Sequence, residues 1–102
     1  MTWDAFHRRA DVLRAVVAHA DEQQDGLVPL HLPGVAETFA DEADLVGALR
    51  LRWNTRESGH LERELMERGD DLAMARVAAR RATERDLPGV RMILDRYVAL
   101  AA

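Results

Sequence analysis

No cysteine occurs among the 102 residues. That absence excludes a disulfide framework, a thiolate metal site and a cysteine nucleophile. Lysine is missing too: all fourteen basic residues are arginine, a bias we read as the codon usage of a high-GC bacterial genome. No stretch approaches the roughly 18 apolar residues of a membrane-spanning helix. The first ten residues carry Asp4, His7, Arg8 and Arg9 instead of the apolar run of a signal peptide. A cytoplasmic protein without a membrane partner is the expectation. Nucleophile-elbow, Gly-rich phosphate-loop and H-E-x-x-H motifs are absent, and Thr55 and Ser58 are the only hydroxyl residues near the one notable histidine cluster. A protein that is not an enzyme follows as the preferred reading.

What is present favours folding. Hydrophobic residues make up 48% and charged residues 31%, far from the composition of a disordered chain. The length suits one domain, residues 1–102, with a single core. A domain this small buries a modest fraction of its surface, so a second copy covering more apolar area is expected, most simply in a homodimer. The net charge is −4, and it is unevenly spread. Residues 1–50 hold nine acids and four arginines, residues 51–102 nine acids and ten arginines. Nucleic acid is disfavoured as a partner of the whole domain, because phosphate binding draws on clustered positive charge.

Periodicity predicts helices throughout and no strand. Trp3, Phe6, Ala10, Leu13, Val17 and Ala20 alternate spacings of three and four, the a/d stripe of a first helix reaching about Gln24, with Phe6 and Leu13 expected in the core. Thr2 caps its start and Gly26 is expected to stop it. Pro29 and Pro33 forbid helix in the apolar stretch 26–40, which is expected to lie extended across the bundle with a helical turn near Val35–Phe39. Leu27, Leu30, His31 and Leu32 are its candidate interface residues.

A second long helix is expected from Asp41, with Leu45, Val46, Leu49 and Trp53 on one face, and with a kink or break at Ser58-Gly59, where the apolar stripe changes side. Asp70 or Asp71 caps a third helix, whose inner face is expected to be Ala75, Ala78, Ala79 and Ala82 with Met74 and Val77. A last helix starts at Pro88 and carries Val90, Ile93, Leu94, Tyr97, Val98 and Ala101 on one side. The fold class is therefore all-α: a four-helix bundle, or an irregular array of four to five helices with a long apolar, proline-containing connector after the first.

The candidate binding residues are Trp53, Arg56, Glu57, His60 and Glu64, because polar groups there continue a core-facing stripe and need partners. If the helix runs unbroken, Arg56 and His60 share a face, with Glu57, Glu64 or an acid of the N-terminal half to pair the guanidinium. Glu57-x-x-His60 resembles the ligand pair of ferritin-like carboxylate bundles, and His60-x-x-x-Glu64 the spacing in hemerythrin-like bundles. The resemblance implies iron, manganese or zinc on Glu57, His60 and Glu64. A ferritin-like site also needs a second Glu-x-x-His and two further glutamates; the nearest match is Asp4-x-x-His7, which makes His7 a further candidate ligand. No cofactor is expected under the preferred reading. His19, near the end of the first helix, suits the negative end of its dipole. Arg76, Arg80, Arg81 and Arg85 form a basic face ahead of a turn and a helix, the pattern of a helix-turn-helix reader, diluted by Asp70, Asp71, Glu84 and Asp86. The reading ranked first is a helical protein-interaction or regulatory module that self-associates, ahead of a metal-binding bundle and of a nucleic-acid binder.

Overall fold

The computed structural model describes residues 2–69 and 71–101, with the side chains of 99–101 outside that description. The described residues form five helices and no strand: α1 (Trp3–Gln23), α2 (Val35–Thr38), α3 (Glu42–Arg68), α4 (Leu72–Asp86) and α5 (Pro88–Ala101). The architecture is an irregular helical array.

Local chemistry sets the boundaries. Thr2 Oγ1 accepts from the Ala5 amide at 3.1 Å and opens α1. The helix closes one step earlier than Gly26 predicts, because Gln24 itself takes the left-handed conformation (φ 48°) and its amide reaches the Ala20 carbonyl. Asp41 caps α3 through the Asp44 amide, while the Asp44 carboxylate reaches back to the Ala40 amide at 2.9 Å, much as in a capping box. Asp71 caps α4 through Met74; Asp70 lies outside the described residues. Pro88 is the first residue of α5.

The main core gathers Val16 and Ala20 of α1, Val35 and Phe39 around α2, Leu45, Val46, Leu49 and Trp53 of α3, Leu87, and Val90, Ile93 and Leu94 of α5. The connector does not run extended. Bonds from Leu30 to Val28, Leu32 to Pro29 and Val35 to Leu32 fold it into successive turns, so that Val28 and Leu32 pack on the core while Leu27 and Leu30 stay exposed. At Gly34 (φ 87°) a Cβ would meet Val12 at 2.8 Å, so the turn into α2 closes tightly on α1.

The helix α3 is continuous through Ser58-Gly59, contrary to the expected break. Its 27 residues reach about 40 Å at ~1.5 Å per residue. A glycine inside a helix costs only about 1 kcal/mol, too little to break one packed along both halves. The apolar stripe changes side because the helix changes partner: up to Trp53 it faces the core, and beyond it Leu61 faces Arg76, Ala79 and Arg80 of α4. After the turn at Gly69, α4 folds back on α3 with Ala75 and Ala79 buried between them. Small side chains let two helices approach closely, so this hairpin forms an arm beside the main core.

Several inward assignments shift. Trp3 and Phe6 are 72% and 60% exposed, because the buried face of α1 centres on Val16 and Ala20 and no described element covers the first turns of the helix; Leu13 is half-buried on the core. Met74 and Val77 are exposed, and Thr83 is buried in their stead, its hydroxyl satisfied by the Ala79 carbonyl at 2.8 Å. Val98 is exposed, and the side chain of Ala101 lies outside the described residues.

Candidate functional site

At the base of the arm, the end of α4 meets the middle of α3. The hairpin folds about Gly69, so a residue at the end of α4 lies opposite the mid-fifties of α3. Asp86 arrives there beside Arg56 and His60. The His60 Nε2 lies 2.7 Å from Asp86 Oδ2, and the Arg56 guanidinium lies 3.6 Å from the same oxygen. Arg63 lies 3.5 Å from His60 Nδ1. The network assigns the tautomer: Nε2–H donates to Asp86 and Nδ1 accepts from Arg63. Both ring nitrogens are thus engaged, and neither bonds the Thr55 or Ser58 hydroxyl. The His60 side chain is 15% exposed.

The continuous helix brings Arg56 and His60 together, as the unbroken reading requires, but the acid between them is Asp86, in the C-terminal half. Asp86 escaped the sequence reading because its partner lies 26 residues away and the pairing depends on the hairpin register. The only sequence signal was Asp86-Leu87-Pro88-Gly89 itself, a turn that ends α4 at a fixed distance from Gly69. Trp53 is buried in the core and lies beside Arg50, Arg80 and Arg91, in a different recess from the histidine.

Glu57 and Leu61, one turn apart on α3, border a recess that Arg76 and Arg80 of α4 line from the other side of the arm. Glu64 accepts from Arg68 Nε at 2.6 Å, and this contact holds the Arg68 guanidinium above its ordinary pKa. His7 bonds the Trp3 carbonyl at 3.0 Å and stacks against the Trp3 ring. The carboxylate adjacent to His60 is Asp86, not Glu57 or Glu64. No group of three or more histidine, aspartate or glutamate side chains placed to hold a metal occurs among the described residues.

The cleft around Asp86 has a volume of about 670 Å³ and is bordered by Arg52, Thr55, Arg56, His60 and Arg63 as well as the exposed backbone at Gly59. Guanidinium groups therefore outnumber its carboxylate by three to one. On the basic face of α4, Arg80 is paired with Glu84 at 3.2 Å, and Leu87 alone separates α4 from α5.

The connector divides in two. Leu32 packs on the core, whereas Leu27, Leu30 and His31 are exposed. The His31 ring meets that of His19 edge to face, with centroids 5.2 Å apart, so His19 is occupied by an aromatic contact at the end of α1. No described helix is long and apolar enough to cross a membrane. No protein family matches the chain, and neither a curated protein nor a solved structure is significantly similar to it.

Proposed function

We propose that this chain is a non-enzymatic helical interaction module that self-associates through the N-terminal half of α1. One observation carries the reading. The stripe Trp3, Phe6, Ala10, Leu13 and Val17 has the alternating three-four spacing of a helix seam, yet the fold leaves Trp3 and Phe6 exposed and Ala10, Leu13 and Val17 only half-buried. An a/d seam is the pattern that packs against a second helix of the same kind, and large aromatic side chains supply much of the energy of protein interfaces. The seam is self-complementary, so a second copy of α1 is the partner that satisfies it. Leu27 and Leu30 of the connector are exposed as well, beyond the other end of α1.

Cross-linking tests this directly, because the chain has no cysteine of its own. Single cysteines placed at Trp3, Phe6, Ala10 and Leu13 should give an oxidised dimer at one or more positions, where the two seams bring Cα atoms within roughly 7 Å. A cysteine at Glu62, exposed on the arm, should remain monomeric. Equal cross-linking at Glu62 and along the seam would contradict the assignment.

A further inference from the structure

The three cleft arginines share one face of α3. At 100° per residue, Arg52, Arg56 and Arg63 fall within about 40° of one another and span about 16 Å along the axis. Like charges a turn apart on a helix are destabilising, and here almost nothing offsets them. Arg56 stands 3.6 Å from Asp86, a carboxylate oxygen already bonded to His60. Arg52 and Arg63 have no carboxylate within ion-pair distance among the described residues. Arg68 and Arg80 on the same arm are, by contrast, each neutralised by a glutamate one turn away. This excess of positive charge lines a concave surface in a chain whose net charge is −4.

We propose that the cleft binds a small polyanion carrying two or more phosphate groups. Its volume of about 670 Å³, open to solvent, leaves room for a small polyanion beside the arginine row. Guanidinium forks match phosphate oxygens two at a time, and a row about 16 Å long takes more than one anionic group. The Thr55 hydroxyl on the cleft wall supplies a further donor. At Gly59 the position of an absent Cβ meets no atom within 4 Å, so the ligand has room to approach the backbone at the middle of the row. The acidic first half of the chain repels a long nucleic acid, whereas a compact anion meets only the local charge. The cleft shares no residue with the α1 seam.

The test is calorimetric titration with sodium tripolyphosphate at low ionic strength, on the unaltered chain and on the Trp3→Glu/Phe6→Glu double variant designed to break the seam. Saturable binding is expected in both. Arg52→Gln/Arg63→Gln removes two guanidinium groups that hold no ion pair among the described residues, so the helical circular dichroism should persist while affinity falls by at least about tenfold, the loss of one or two charge-assisted bonds. Asp86→Asn keeps an acceptor for His60 but releases Arg56, and should tighten binding several-fold. Three results would each overturn the proposal: no saturable heat at millimolar tripolyphosphate, the same affinity in the folded Arg52/Arg63 variant, or tighter binding of a hexaglutamate peptide than of tripolyphosphate.

Discussion

Asp21, on the last turn of α1, accepts through Oδ1 from the backbone amide of Gly89 at 2.9 Å, and the same oxygen lies 3.3 Å from the Val90 amide. Pro88 has no N–H, so these are the first donors that α5 offers, and a residue 68 positions away serves as its cap. The contact requires the two helices to touch: a Cβ on Gly89 would lie 1.8 Å from the Ala20 carbonyl oxygen. Backbone is opposed to backbone there, so no side-chain rotation relieves the clash.

Gly89→Ala is therefore predicted to push α5 off α1 and to cost at least about 3 kcal/mol, combining overpacking with loss of the cap. Urea unfolding followed by circular dichroism measures it. A loss below about 1 kcal/mol would mean that the helices are not in contact at Gly89.

Asp21 also makes stability depend on pH. Burial raises its pKa above the ordinary aspartate value, outweighing the two amide bonds, which act to lower it. With the folded pKa raised, its contribution is complete below the unfolded value and is lost as pH rises through the folded one. Asp21→Asn retains the acceptor without the charge. The stability of Asp21→Asn relative to the unaltered chain should thus increase as pH rises from the ordinary aspartate range and level off above the raised folded pKa. A relative stability that declines over this range contradicts the sign. Asp21→Ala, which removes the acceptor, should cost about 1–2 kcal/mol.

The bond between His60 and Asp86 joins α3 to the end of α4 at a partly solvated site, where pairs of this kind contribute about 1 kcal/mol or less. A double-mutant cycle with His60→Ala and Asp86→Ala should give a coupling energy of about 0.5–1 kcal/mol. A coupling near zero would show that the pair does not hold in solution.

Helix periodicity and capping residues made the element order legible in the sequence. Thr2, Asp41, Asp71 and Pro88 mark helix starts in residues whose chemistry acts locally. Burial was less legible, because it depends on what lies opposite. The spacing of Trp3 and Phe6 is that of Leu13 and Val17, and only the extent of the neighbouring helices separates exposed from covered residues. At Gly59 the change in stripe was visible, but a change of partner and a break produce the same pattern. Arg56 and His60 were legible as a pair once the helix was continuous. Asp86 and the contact of Asp21 with Gly89 were not, since each joins elements whose relative placement no local pattern encodes.

Molar mass against concentration tests association through the α1 seam most directly. Sedimentation equilibrium should show the 11.5 kDa chain passing to twice that mass as concentration rises. The Trp3→Glu/Phe6→Glu variant should remain at the single-chain mass with the same helical signal, since both side chains are exposed in the isolated fold. Single-chain mass for the unaltered protein at every concentration, or an undiminished dimer in the double variant, would contradict the account.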